Sequence, residues 1–275
     1  MHGTLRKHWP EYLIEAWALG TFMVSAAVFT TLFEYPGSPL HAAIHDAGLR
    51  RALIGIAMGL TAIGLIMSPW GKRSGAHMNP AVTLAFWRLG KVAGIDALCY
   101  VVAQCMGGIA GVLLAGVVLH DAFTNAPIRS VATVPGASGV GLALAAELAI
   151  SGLMMWTVLQ VSSSRRFASL TAYAAGALVA LFIAFEAPLS GMSMNPARSL
   201  ASALPSGIWT GFWIYLVAPV LGMQLAAVGF QLWRGRREVA CAKLLHARDQ
   251  RCIHCGYQPP ARPSPDNLPS GELQS

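Results

Sequence analysis

The sequence predicts an all-α membrane protein with six transmembrane helices, two re-entrant half-helices and an inverted internal repeat. Only 11% of the 275 residues are charged and the mean hydropathy is +0.54, whereas a soluble domain carries about 25% charged residues. Six stretches are apolar and long enough to cross a bilayer. Two short segments of nearly identical sequence recur in corresponding positions of the two halves.

The charge pattern indicates a lipid bilayer as the partner and argues against nucleic acid. The net charge is +7, but the basic residues form short clusters between the apolar stretches, as membrane proteins place their cytoplasmic Lys and Arg. Cys99 and Cys105 lie in an apolar run and are interpreted as packing residues. The other three cysteines lie in the polar tail, so the five do not indicate a secreted disulfide scaffold.

The six apolar stretches meet the length of about 20 residues that a membrane-spanning helix needs. They cover residues 12–33, 52–69, 94–119, 139–162, 170–187 and 209–233. Two shorter apolar pieces, 79–87 and 195–204, follow the second and fifth stretches. Each begins at Asn-Pro, which suits an N-cap followed by Pro at the first helical position. These pieces are predicted half-helices.

The predicted organisation places a repeat on each side of one extracellular loop. The segments are an N-terminal segment 1–10, a first repeat 11–119, a connecting loop 120–138, a second repeat 139–233 and a tail 234–275. With six alternating spans, most basic clusters fall on one side, and the positive-inside rule then makes both termini cytoplasmic. Arg50, Arg51 and Arg129 are the exceptions. The expected location is the plasma membrane.

The internal repeat is visible residue by residue. Residues 74–85 and 190–201 are identical at eight of twelve positions, counted directly from the two segments. Downstream Tyr100 matches Tyr215. Each half contains three spans, an odd number, so the second half enters the membrane from the opposite side and the repeat is inverted. The two half-helices are therefore expected to meet near the middle of the bilayer.

The duplicated segment predicts a pore. Non-helical backbone at membrane depth is tolerated only where protein buries it or water wets it, so residues 74–78 and 190–194, called here the two lead-ins, are expected to line a file of water or small polar solute. The positive ends of two facing half-helices repel cations, protons included. The side-chain amides of Asn79 and Asn195 can donate to a passing oxygen.

These motifs resemble the aquaporin or major intrinsic protein family over residues 11–233. The matching features are the two Asn-Pro-Ala motifs, the first lead-in, a glutamine in span three and an arginine after the second motif: Asn79, Pro80, Ala81, Asn195, Pro196, Ala197, Gly75, Ala76, His77, Gln104 and Arg198. The resemblance implies a passive channel for water that excludes protons and ions. It also implies a homotetramer with one pore per subunit.

The resemblance assigns roles to several further residues. It implies that Arg198 forms the extracellular constriction; the alternative is a salt bridge with Glu147 or Glu186. Glu15 and Glu147 are expected to hold the two lead-ins by their backbone N–H groups, with a proton relay as the rival role. His77 is expected to orient its loop, with direct solute contact as the alternative. Gly191 and Ser193 are expected to support the second lead-in.

The remaining selectivity positions depart from a strict water channel. They fall at Ile183, Met192 and either Met58 or Gly59, because an extra residue before the first motif leaves that alignment open. An apolar filter weakens discrimination for water and leaves room for glycerol, urea, ammonia or hydrogen peroxide. Other positions are unlike a glycerol facilitator: Ser199 replaces its Asp and Ala203 its Lys. Water with some small neutral solutes is the preferred interpretation, and a facilitator of the same fold is the alternative.

Two other classes are less favoured. An ion-coupled secondary transporter also uses inverted repeats and broken helices, but we expect no Asp inside a span and few carboxylates for coupling. A membrane enzyme would need a nucleophile and a base together, and the neighbourhood of His77 offers no such pair. The chain is predicted not to be an enzyme and to require no cofactor.

The tail contains one possible metal site. Cys241, His246, Cys252 and Cys255 supply four ligands of the kind that zinc binds tetrahedrally, with His254 as a competing ligand. The alternative is a solvated tail with incidental cysteines. Residues 259–275 are rich in Pro and Ser and are expected to be disordered.

Overall fold

A computed structural model of the chain describes residues 2–235, 239–247 and 249–259 and contains no strand in this part. Six helices are long and apolar enough to span a membrane, the fifth together with the 3-10 turn Ala168–Leu170 that precedes it: α1 (His2–Glu34), α3 (Ala47–Met67), α6 (Gly94–Leu119), α8 (Val140–Ser162), α9 (Thr171–Phe185) and α12 (Phe212–Arg234). Six short helices lie between them: α2 (Pro39–Ala43), α4 (Pro69–Ser74), α5 (Pro80–Arg88), α7 (Asp121–Thr124), α10 (Ala187–Ser190) and α11 (Pro196–Ser206). The predicted fold class is confirmed.

The helix pairs repeat with the sequence. Helix α1 packs along α6, its counterpart α8 packs along α12, and α3 packs along its own counterpart α9. The half-helices cross between the repeats, since α5 packs on α12 and α11 packs on α6. Each repeat therefore supplies a half-helix to the other, and the two half-helices lie inside one bundle.

Glycine permits these pairs to approach closely. A Cβ atom at Gly59 would lie 2.5 Å from the carbonyl oxygen of Gly176, and one at Gly20 would lie 2.8 Å from that of Gly107. No side chain fits at such distances, so the helix backbones touch at these points. Small residues at helix interfaces serve the same purpose in membrane bundles generally.

The structure differs from the predicted organisation at two places. Helix α1 begins at His2 and continues through Pro10, so residues 2–10 continue the first helix. The connecting loop 120–138 is not a simple link: it contains α7 and a 3-10 turn, and Phe123, Ile128 and Val131 are buried in the bundle. Its apolar side chains pack beside the half-helix α11.

The two ends of the bundle are distinguished by their ion pairs. At one end, called the terminal end, Arg251 of the tail contacts Glu11 of α1 with Nη2 and Oε1 3.1 Å apart. At the opposite end Arg50 and Glu34 pair at 3.1 Å. Large apolar side chains such as Leu232 lie exposed on the outside of the helices, a surface that suits lipid.

Candidate pore

The half-helices begin as the sequence predicts. Asn79 is the N-cap of α5 and Asn195 is the N-cap of α11, each followed by Pro at the first helical position. The side-chain oxygen of Asn79 accepts from the backbone N–H of Ala81 at 2.8 Å, and that of Asn195 accepts from Ala197 at 3.1 Å. Asn suits this position because its short side chain satisfies an otherwise unpaired donor of the first turn.

The two Asn side chains also tie the repeats together. The Asn79 amide nitrogen donates to the carbonyl oxygen of Met194 at 2.7 Å, and the Asn195 amide nitrogen donates to that of Met78 at the same distance. An amide nitrogen carries two hydrogens, so one donor of each Asn remains. Both residues line the central cavity, where that second hydrogen can meet a solute oxygen.

The lead-ins have the same unusual backbone in both copies. Three pairs of equivalent residues have positive φ angles, which non-glycine residues adopt rarely: Gly75 and Gly191, Ala76 and Met192, and Met78 and Met194. In this conformation the backbone groups form no helical hydrogen bonds, so side chains from other elements must stabilise it.

Two buried carboxylates hold this backbone conformation of the lead-ins. Glu15 accepts from the hydroxyl of Ser74 and from the backbone N–H groups of His77 and Met78, at 2.7, 3.1 and 2.7 Å. Glu147 accepts from the equivalent groups of the second copy, Ser190, Ser193 and Met194, at 2.8, 2.6 and 2.7 Å. Both carboxylates are fully buried and all their oxygens are engaged, which places them as supports of the lead-ins.

Gln104 and a tyrosine pair complete this support. The Gln104 amide donates to Glu15 at 2.8 Å and to the hydroxyl of Thr83 at 3.2 Å. Tyr100 donates to the carbonyl oxygen of Ser74 at 2.7 Å, and its counterpart Tyr215 donates to Ser190 at 2.6 Å. The sequence repeat pairs the two tyrosines but does not assign them this role.

A central cavity of about 450 Å³ follows the half-helices through the bundle. Glu34 and Arg51 line it at the opposite end, and Ile66 and Leu244 line it at the terminal end. All four residues proposed from sequence as a filter border it: Met58, Ile183, Met192 and Arg198. Of the two candidates in α3, Met58 borders the cavity, whereas Gly59 packs against Gly176 of α9.

Arg198 lies in the first turn of α11 and points to the connecting loop. Its Nη1 donates to the hydroxyl of Thr133, which also contacts Ser199 at 3.1 Å. Arg198 forms no ion pair with Glu147, Glu186 or any other described residue. Thr133 was not identified from the sequence, because nothing in a loop of that composition shows that it reaches an arginine 65 residues away.

His77 lies between its half-helix and the tail. Its Nδ1 contacts the Thr83 hydroxyl at 3.0 Å, and its Nε2 donates to the carbonyl oxygen of Ala242 at 2.8 Å. Both ring nitrogens are thus used for positioning, although the residue also borders the cavity. The contact with the tail has no signal in the sequence.

The tail brings the four predicted metal ligands together. The donor atoms of Cys241, His246, Cys252 and Cys255 all lie within 4.8 Å of one another. His254 is directed elsewhere: its ring stacks on His77 with centroids 5.7 Å apart. Burial lowers the pKa of His254 to about 4. Residues 260–275, most of the segment predicted to be disordered, lie outside the described residues.

The expectation that no Asp lies inside a span is wrong. Asp96 occupies the first turn of α6 and is buried. Its Oδ1 accepts from the hydroxyl of Tyr12 at 2.6 Å and contacts His8 Nδ1 at 2.9 Å. It lies at the terminal end and does not border the central cavity, so it joins α1 to α6 away from the pore.

Comparison with known proteins agrees with this geometry. The model of the family described as Major intrinsic protein matches residues 7–230. Aquaporin NIP1-3 of Oryza sativa subsp. japonica is 37% identical over 180 residues, 65% of this chain, and the match spans only 61% of that relative's length. Aquaporin NIP2-3 of Zea mays is 33% identical over 228 residues, 82% of this chain and 73% of that relative.

A solved structure shows the same fold. The X-ray structure of the aquaglyceroporin from Plasmodium falciparum superposes with a TM-score of 0.70 and covers 81% of this chain and 95% of its own, at 20% identity. Together with the duplicated Asn-Pro-Ala motifs and the half-helices that they begin, these similarities establish that the chain belongs to the major intrinsic protein family.

Proposed function

We propose that the chain is a passive transmembrane channel for water and small uncharged solutes. The observation that carries the proposal is the reciprocal pair of Asn79 and Asn195, whose free amide hydrogens and half-helix N-termini meet in one continuous cavity. A solute oxygen can accept from both amides in turn. No covalent chemistry and no coupled ion are required for such passage.

Exclusion of ions follows from the charges around this cavity. The positive ends of α5 and α11 meet at its middle, and each carries a partial charge of about +0.5. Arg198 adds a full positive charge nearby. Glu34, a carboxylate that borders the cavity, lies at the opposite end and is paired with Arg50. A cation or a proton on a water chain therefore meets a barrier, while a neutral molecule does not.

An ion-coupled transporter fits the same residues poorly. Coupling needs a carboxylate that can bind and release a cation, but Glu15 and Glu147 hold backbone N–H groups with all their oxygens. Neither borders the cavity.

Osmotic shock of proteoliposomes distinguishes the two classes. We expect the rate of shrinkage to rise linearly with the osmotic gradient and to be insensitive to sodium and proton gradients. Saturation of the rate, or its dependence on either ion gradient, would contradict a passive channel.

A facilitator of glycerol, urea or ammonia is the second candidate. It is favoured by the apolar side chains at the filter positions, Ile183 and Met192, and the related structure from Plasmodium falciparum is described as an aquaglyceroporin. The test is uptake of each solute by the same proteoliposomes. If glycerol enters as fast as through a glycerol facilitator measured in parallel, this candidate replaces the first.

We further propose a homotetramer in the plasma membrane with both termini cytoplasmic. The family resemblance supports the tetramer, and the basic clusters at the terminal end support the orientation. Native mass spectrometry of the detergent-solubilised protein should give four chains per particle. A monomer that conducts water at the full rate would remove the tetramer from the proposal.

A further inference from the structure

The tail contains a ligand set whose geometry is close to that of a metal site. The Sγ atoms of Cys241 and Cys252 are 3.4 Å apart, and His246 Nε2 lies 3.3 Å from Cys255 Sγ. With Zn–S near 2.3 Å and Zn–N near 2.0–2.1 Å, the donors of a tetrahedral site lie about 3.5–3.8 Å apart. We propose that these four residues bind one zinc ion, and that the ion fastens the tail as a cap over the terminal mouth of the pore.

The ligand chemistry selects zinc over the hard cations. Three thiolates and an imidazole are soft or intermediate ligands, whereas magnesium and calcium prefer oxygen. Three thiolates around Zn²⁺ leave one negative charge. A buried ammonium lies beside the ligand set: Lys243 is 2% exposed, and its Nζ donates to the carbonyl oxygen of Arg251, the residue before Cys252, at 3.0 Å.

The segment around these ligands is seated on the first lead-in. We call residues 239–247 and 249–257 the tail cap. Its backbone N–H at Leu244 donates to the carbonyl oxygen of Gly75 at 3.2 Å, and its carbonyl at Ala242 accepts from His77. His254 Nε2 lies 3.1 Å from the carbonyl oxygen of Ser74. These contacts reach the very backbone that leads into the pore.

The tail cap also reaches the terminal end of the cavity. Leu244 borders it at the terminal end, and Val239, Ala242 and Leu244 join the buried apolar core. Arg251 joins the tail cap to α1 through its ion pair with Glu11, which is itself fully buried.

The tail cap needs the metal because its own core is small. It contains no helix or strand, and its few buried apolar side chains cannot repay the entropy of ordering such a segment. Structural zinc supplies that free energy directly by binding the folded segment and not the unfolded one. Loss of the ion should therefore release Leu244 from the mouth. This regulation rests on the proposed channel function.

Metal content is the first measurement. The full-length protein is purified without a metal-binding tag, and the number of zinc ions per chain is determined by inductively coupled plasma mass spectrometry. We expect one zinc per chain, retained in the double variant C99S/C105S, whose cysteines lie in α6, and lost in C252S and in C255S. Absence of zinc from the unaltered protein overturns the proposal, as does a Cys241–Cys252 disulfide found by peptide mass spectrometry of the alkylated protein.

Water permeability of the same preparations is the second measurement. A zinc chelator added to both faces of the proteoliposomes, or the substitution C255S, should raise permeability severalfold. Zinc added back to the chelated unaltered protein should reverse the rise, whereas magnesium should not. Reversal excludes misfolding as the cause.

The outcomes separate this proposal from the channel itself. If zinc is bound but permeability does not change after chelation, the tail does not restrict the pore, and that part of the proposal is overturned. Zinc binding without water conduction in any preparation overturns the proposed function and leaves the metal site standing. Conduction that falls irreversibly on chelation also overturns the cap, since it would make zinc a requirement of the fold.

Discussion

At the scale of single residues, the pore depends on polar groups that each hold a neighbour in place. The Asn pair and its carboxylate supports were predictable because the repeat contains them twice. The roles of Asn79 and Glu15 in the first half are repeated by Asn195 and Glu147 in the second half, with the opposite orientation in the membrane. Thr133 was not predictable, because its contact with Arg198 depends on how a loop folds over the bundle.

Replacing Glu147 by Gln should loosen the second lead-in. The substitution removes a charged acceptor and turns an amide N–H toward backbone donors, and hydrogen bonds to charged groups contribute about 1.5–3 kcal/mol each. We expect a lower melting temperature in detergent and most of the water flux lost. The exposed Asp121→Asn variant is the matched control. Equal melting temperatures for the two variants would contradict the supporting role.

Removing Arg198 should widen the solute range. In Arg198→Ala the side chain that reaches Thr133 disappears from the cavity wall. We expect glycerol uptake relative to water to rise about tenfold, the change that a barrier lowered by about 1.4 kcal/mol produces. Arg165→Ala, which removes an exposed basic side chain that does not border the cavity, should leave the ratio unaltered. An unchanged ratio in Arg198→Ala would exclude Arg198 from the filter.

At the scale of elements, apolar length predicted the number of spans, and Asn-Pro predicted where the half-helices begin. The starts are marked by capping chemistry that acts within one turn, so they are visible locally. The ends of the long helices are less marked: α1 extends back through Pro10 to His2, and the fifth stretch ends as a helix at Phe185, after which the separate short helix α10 begins at Ala187. These details depend on packing against neighbouring helices.

The close contact between α3 and α9 at Gly59 can be tested by substituting this glycine. Gly59→Leu places a side chain where α3 and α9 touch, and overpacking of a filled interface costs about 1–3 kcal/mol or more. Gly64 lies in the same helix, and a Cβ atom there would meet no atom within 4 Å apart from the nearby backbone of its own helix, so Gly64→Leu is the control. We expect folded yield and melting temperature to fall for Gly59→Leu alone. Equal loss in both would show that the contact is unimportant.

At the scale of the whole molecule, the inverted repeat was predictable from an odd span count, but the docking of the tail was not. The spacing of Cys241, His246, Cys252 and Cys255 indicated a ligand set, and left open whether His246 or His254 belongs to it. The structure directs His254 to the first lead-in. Such a contact joins residues 180 positions apart and follows from tertiary packing alone.

Orientation is a property of the whole chain that a fusion can measure. The basic clusters predict that the terminal end faces the cytoplasm. A fluorescent protein that matures only in the cytoplasm, fused after Ser275, should be bright, whereas a periplasmic or extracellular enzyme reporter at the same place should be inactive. The reverse pattern would show that the channel has the opposite orientation in the membrane, with Arg198 on the cytoplasmic side.

The central claim is that two inverted half-helices form one pore that conducts neutral molecules and excludes protons. Proteoliposomes that enclose a pH-sensitive dye test it directly, because water flux and proton flux are then measured in the same vesicles. We predict water permeability well above that of empty vesicles, with a proton leak equal to theirs. A proton flux that rises together with the water flux would contradict the claim.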